Sequence, residues 1–210
     1  MRAILASRPR LTTATVLAWH GDSNTDIGAF VTPGLEWAAI AANIIDPTAE
    51  YHNEAISGHT IEQMVDDAPT LVDVHRTATA RVNIAIVMGG TNGGLLDSYT
   101  KYQQMMQFVA DRKAALFDYI FVLPYLRNGD LSTDAGKQGE GRRQLYRSYL
   151  QSSPGNGRDF IVVDHDSVPE LQDPTNATYF FASPDLTHMK APAHAALGTF
   201  AGNFILSVIS

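Results

Sequence analysis

Residues 15–25 read Thr-Val-Leu-Ala-Trp-His-Gly-Asp-Ser-Asn-Thr, and the change of character halfway along this stretch decides the fold. Thr15 to His20 is an apolar run of strand length, and Gly21 permits a tight turn at its end. Ser23 then stands at the start of a helix or helical turn, where backbone N–H groups favour developing negative charge. Taken alone, Gly-Asp-Ser is an ordinary capping turn. Its meaning depends on the residues at the ends of the other strands.

Val82 to Met88 is a second buried run and ends at Gly89-Gly90, Tyr119 to Leu123 is a third and ends at Pro124, and Phe160 to Val163 is a fourth. Tyr51 to Ile56 is interrupted by His52, Asn53 and Glu54, which places it nearer a sheet edge. Between these runs lie segments of helical period. Leu35, Ala38, Ala39, Ala42 and Ile45 form one apolar stripe, and Tyr99, Tyr102, Met106 and Val109 form another, with Ser98 placed to cap it. A last helix is expected from about Ala191 to Ile209 despite Gly198 and Gly202. Asn128 to Gly141 and Ser152 to Gly157 read as surface loops flanking a helix. The alternation predicts an α/β fold, a three-layer α/β/α sandwich with a mostly parallel five-stranded sheet, in one domain over residues 1–210.

The chain of 210 residues is 45% hydrophobic, enough to bury a core without covalent staples. It has no cysteine, which removes disulfides, thiolate metal sites and a cysteine nucleophile. A net charge of −7 argues against a phosphate-tracking surface, so no nucleic-acid partner is expected. Arg142, Arg143 and Arg147 are expected on a solvated helix face. Arg2, Arg8 and Arg10 flank an apolar run, Ala3 to Ala6, too short for a signal-peptide core, and no apolar stretch of about 18 residues suggests a membrane span. A soluble protein is expected, cytoplasmic or else exported or virion-associated by another route.

In open α/β sheets ligands bind beyond the carboxyl ends of the strands. Here those ends carry Gly21-Asp22-Ser23, Ser57-Gly58-His59 and Gly89-Gly90-Thr91-Asn92-Gly93, and Asp185-Leu186-Thr187-His188 lies near the C-terminus. In this order, across residues 21–188, the sequence resembles the SGNH (GDSL-like) hydrolases, whose name gives the Ser, Gly, Asn and His of four blocks. The resemblance implies a flavodoxin-like variant of the sandwich, with Ser23 as nucleophile and Asp185 and His188 completing a triad. It also implies an oxyanion hole made of the backbone N–H groups of Ser23 and Gly58 and the side-chain amide of Asn92. One departure stands out: Gly93 takes the place of the aspartate that commonly ends the third block.

The residues support these roles on chemical grounds. A serine hydroxyl is a weak nucleophile until a base takes its proton, and imidazole titrates near working pH. Asp185 lies three residues before His188, which puts both side chains on one side of a helical turn. Asp22 is expected to make a turn hydrogen bond, and His194, lacking such an aspartate, to be a helix-surface histidine. Asp164-His165-Asp166 reads as structural or solvated, and His52 and His59 as surface or pocket-wall residues. Trp19, Trp37 and Tyr51 are expected in the core, and Tyr125 and Leu126 beside a pocket.

The function expected is hydrolysis of a carboxylic ester through an acyl-serine intermediate, with no cofactor or metal. Because no apolar lid is evident, the substrate expected is a short acyl ester, acetyl on a carbohydrate. The alternatives are a lysophospholipase or thioesterase of the same family, and a non-catalytic carbohydrate-binding or structural module.

Overall fold

A computed structural model describes residues 14–28, 30–94 and 96–210; Arg2, Arg8, Arg10 and the apolar run between them lie outside these. Five strands, β1 (Thr15–Gly21), β2 (Glu50–Asn53), β3 (Val82–Gly89), β4 (Tyr119–Pro124) and β5 (Ile161–Val162), form one parallel sheet in the order β2-β1-β3-β4-β5. The order reverses between β1 and β3, so the end of β1 lies at the switch point where such sheets open a crevice.

Helices cover both faces, which is why the central strands read as unbroken apolar runs. Leu17, Trp19, Ile84, Ile86, Phe121 and Leu123 face α1 (Trp37–Ile45) and α5 (Ala191–Ile209). Ala18, Ala85, Val87, Ile120 and Val122 face α2 (Ile61–Leu71), α3 (Ser98–Ala114) and α4 (Asp134–Ser152). Trp19 and Trp37 meet edge to face at 4.8 Å in the first of these layers.

Several elements differ from the sequence reading, each for a local reason. The α1 stripe is Trp37, Ala38, Ala41, Ala42 and Ile45, and Leu35 stays exposed ahead of the helix. The first residue of α3 is Ser98, but its cap is Asp97, whose Oδ1 accepts from the N–H groups of Tyr99 and Thr100 at 2.9 and 2.8 Å. The buried side of α3 carries Met105, Phe108 and Val109, while Tyr99 is exposed and meets Tyr149. The expected loop Asn128 to Gly141 is half helix: Thr133 Oγ1 accepts from Gly136 N at 3.1 Å and starts α4. Gly136 belongs there because a Cβ would fall 2.0 Å from the Asp130 carbonyl oxygen.

The expectation of a solvated arginine face holds for Arg142, which is exposed, but fails for Arg143 and Arg147. Arg143 is only 1% exposed and grips Asp166 and Glu140 through two bonds each, at 2.7–2.9 Å. Arg147 Nε donates to Asp164 Oδ1 at 2.7 Å, so both aspartates of Asp164-His165-Asp166 anchor α4 to the exit of β5. Between them, His165 Nε2 donates to the Pro124 carbonyl at 2.7 Å. His194 is likewise no surface residue: it is 2% exposed, and its Nδ1 accepts from the Trp37 N–H at 3.2 Å.

α5 is, against expectation, long and apolar enough by length and composition to cross a membrane. Its Gly198 and Gly202 let it lie against α1, since a Cβ on Gly198 would meet Ile40 Cβ at 2.7 Å and the Trp37 carbonyl oxygen at 2.8 Å. That packing accounts for its apolar face.

Candidate active site

Ser23 leaves β1 on a single helical turn closed by Thr25 N and Asp26 N, which donate to the Asp22 carbonyl at 2.9 and 3.0 Å. Gly21 is required by crowding, because a Cβ would sit 2.6 Å from Thr25 Oγ1 and 2.9 Å from the Met88 carbonyl oxygen. The turn therefore lies tight against β3.

Ser23 Oγ is 2.8 Å from His188 Nε2, and His188 Nδ1 is 2.8 Å from both oxygens of Asp185. Asp185 Oδ1 also accepts from Thr187 N at 3.1 Å and His188 N at 3.2 Å. Burial pushes the Asp185 carboxyl up, but the hydrogen bonds from His188 and Thr187 outweigh it and hold the group below the usual carboxylate range. The acid stays ionised beside the imidazole, and the carboxylate fixes the Nδ1–H tautomer that leaves Nε2 free to accept a proton.

Side chains outside the three residues lock this arrangement. Asn24 Oδ1 accepts from Met189 N at 3.3 Å and Asn24 Nδ2 donates to the Thr187 carbonyl at 3.4 Å, joining the serine turn to the histidine loop. Asn53 Nδ2 donates to the Thr25 carbonyl at 2.7 Å, and Ser57 N donates to Asp26 Oδ2 at 3.0 Å, joining it to the segment that carries Gly58. Asp22 accepts from Asn24 N at 3.1 Å. Its buried carboxyl is pushed up by desolvation, against hydrogen bonds from Asn24 and Thr91 and the charge of His188.

The structure brings Gly58 and Asn92 to the same end of the sheet, on the segments after β2 and β3. Gly58 has φ +86°, a left-handed conformation that suits glycine. Asn92 Nδ2 donates to the His59 carbonyl at 3.0 Å, which orients the amide from the Gly58 segment. Gly93 has φ +94° and a Cβ there would meet Leu96 Cδ1 at 3.3 Å, so this loop is built for glycine where an aspartate commonly stands. Lys101 supports the same loop from α3, donating to the Gly90 carbonyl at 2.6 Å while lying over the Tyr125 ring. Tyr125 is buried against Gly90, whereas Leu126 is buried in the opposite layer, with α1 and α5. His59 lies beside Asp67, its Nδ1 3.6 Å from Oδ2.

Sequence reasoning missed Phe30, which stacks on the His188 ring with centroids 3.6 Å apart, and Phe181, which meets Phe30 edge to face at 5.9 Å. Gly28, Phe30, Val31, Pro33 and Phe181 line a shallow, open groove beside the histidine. Nothing in the local sequence marks these residues, because the loop 26–35 has no period and its contacts come from a segment about 150 residues away.

No family model matches the chain, and neither does any curated protein sequence. Solved structures do. A member of the lipolytic G-D-S-L family from Veillonella parvula superposes with a TM-score of 0.71 at 17% identity, over 90% of this chain and 96% of that one. Axe2, an acetylxylan esterase from Geobacillus stearothermophilus, gives 0.61 at 16% identity over 91% and 94%, and TesA gives 0.66 at 16% over 93% and 99%. The chain has the fold of the GDSL-like, or SGNH, hydrolases.

Proposed function

We propose that the protein is a serine ester hydrolase in which Ser23 is the nucleophile, His188 the general base and Asp185 the acid that orients it. The observation that carries this reading is the line of 2.8 Å contacts from Ser23 Oγ through His188 to Asp185, at the switch point of the sheet. His188 Nε2 takes the Ser23 proton as Oγ attacks the ester carbonyl. The resulting oxyanion faces the N–H groups of Ser23 and Gly58 and the Asn92 amide. Collapse expels the alcohol, which leaves with the proton from His188, and a water activated by the same imidazole then frees the acid.

For the substrate we infer a short acyl group, acetyl on a carbohydrate. In support, the groove beside His188 is shallow and open, which suits a bulky alcohol part better than a long acyl chain, and an acetylxylan esterase is among the proteins of similar fold.

Hydrolysis of p-nitrophenyl acetate and labelling by a fluorophosphonate test the reaction, with wild type compared with Ser23→Ala. Both are expected to vanish in the variant, with the label mapped to Ser23. A folded wild type that neither turns over nor labels would sink the proposal. Acetate release from acetylated xylo-oligosaccharides, and p-nitrophenyl acetate cleaved faster than the octanoate, are the results expected for the substrate; faster octanoate cleavage would overturn the acetyl assignment.

A further inference from the structure

His52 and Glu54 are two residues apart on the extended edge of the sheet and so share one face. The register puts His52 beside Ala18, on the side covered by α2 and α3. The pairing continues past β2, because Glu54 N donates to the Trp19 carbonyl at 2.9 Å, and this holds the Glu54 backbone in place. After α2 the chain returns through a 3₁₀ turn, Asp73–His75, that carries His75 to the same spot. His75 Nε2 is 2.7 Å from Glu54 Oε1, and the His75 ring lies flat against that of His52, with centroids 3.8 Å apart and planes inclined by 8°. One nitrogen from each imidazole and one carboxylate oxygen all fall within 4.8 Å of one another.

We propose that His52, Glu54 and His75 form a binding site for a borderline divalent transition metal, with zinc as its representative, at the edge of the sheet and outside the Ser23 site. Two imidazoles and one carboxylate are the donor set that such ions take, with water completing a tetrahedron. A buttressing ion pair would need only His75 and Glu54; the second imidazole, stacked on the first, supplies a third ligand that such a pair does not use. Ligand atoms around zinc lie about 3.4 Å apart for bonds of about 2.1 Å. Around one ion the widest spacing, up to 4.8 Å, shrinks by up to about 1.4 Å as the two parallel rings turn toward a common point, while the 2.7 Å between His75 Nε2 and Glu54 Oε1 opens by about 0.7 Å. All three side chains are half-buried, which leaves an entry path and excludes part of the competing water.

The test is titration of the full chain, free of any affinity tag and stripped with chelator, with zinc chloride by calorimetry, and with cobalt(II) chloride by visible absorption. One zinc per chain and the absorption of four-coordinate cobalt are expected. His52→Gln and His75→Gln should each weaken zinc by roughly a hundredfold or more, since even partners outside the ligand shell matter tenfold to a hundredfold. His188→Ala should leave zinc affinity unchanged, which separates this site from the Ser23 triad whether or not that triad hydrolyses esters. No saturable heat at millimolar zinc overturns the proposal, as does binding that survives both glutamine variants or is lost in His188→Ala.

Discussion

Phe30 lies flat on the imidazole of His188, with centroids 3.6 Å apart and ring planes inclined by 14°. The contact covers one face of the ring whose edges meet Ser23 and Asp185, so it keeps the imidazole in the plane that contains both partners. Aromatic pairs of this kind contribute about 0.5–1.5 kcal/mol beyond buried area. Phe30→Ala is expected to lower kcat on p-nitrophenyl acetate by roughly two- to tenfold. Unchanged kcat would show that Asp185 alone holds the ring.

Asn92 is steered by the His59 carbonyl, and one oxyanion donor is worth about 2.7–4 kcal/mol in the transition state. Asn92→Ala should cut kcat by roughly a hundredfold or more with the fold intact by circular dichroism. Wild-type turnover in this variant would remove Asn92 from the oxyanion hole.

Gly93→Asp introduces the residue common at this point in SGNH hydrolases, yet it is expected to lower both stability and activity. The φ of +94° disfavours any side chain by about 1–2 kcal/mol, and a Cβ would press on Leu96. A melting temperature and kcat at or above wild type would mean that the loop relaxes without strain.

Gly198→Ala and Gly141→Ala should move stability in opposite directions although both lie inside helices. At Gly198 the clash with the Trp37 carbonyl oxygen is with backbone, and overpacking of this kind costs about 1–3 kcal/mol. At Gly141 no atom lies within 4 Å of the added Cβ, so the intrinsic preference for alanine, up to about 1 kcal/mol, is realised. Urea unfolding of the two variants reads the contrast directly; a stabilised Gly198→Ala would show that α1 and α5 can separate freely.

Two buried histidines make the fold sensitive to mild acid. Burial pushes His20 and His194 down to about 4 from 6.5, with the hydrogen bond from His20 to the Glu54 carbonyl only partly opposing it. The unfolded chain then binds two more protons than the native one between these values. Stability is full above about pH 6.5 and falls as pH drops toward 4, by up to about 2.7 kcal/mol per pH unit. Buried His165 is shifted in the same direction. Urea midpoints should drop steadily from pH 7 to 5; a flat profile would show that these rings are protonated in the folded protein.

The sheet was legible because β1, β3 and β4 are buried on both faces and leave unbroken apolar runs bounded by glycine or proline. The helices were harder. Three glycines between Gly136 and Gly141 disguise the start of α4, since the reason for Gly136 is the Asp130 carbonyl it packs against. α2 had a local signal that went unread, the capping box of Thr60 and Gln63 with Ile61, Met64 and Ala68 on one face. Charged residues misled most. Arg143 looks like a solvated helix residue until Asp166, 23 positions away, is brought beneath it.

At the candidate site, Ser23, Gly58, Asn92, Asp185 and His188 stand out in the sequence because each lies in a short motif after a strand or in a local three-residue spacing. Phe30 and Asn24 could not, since their partners lie more than 150 residues away in the chain. What the sequence hides is therefore the support of the site, which depends on tertiary contacts.

The side chain of Asn24 holds Thr187 and Met189, which lie more than 160 residues further along the chain. During synthesis all five strands emerge before that segment does, so a chain with its sheet complete has Ser23 in place and no imidazole beside it. During synthesis the Ser23–His188 contact therefore closes only after the whole sheet has emerged.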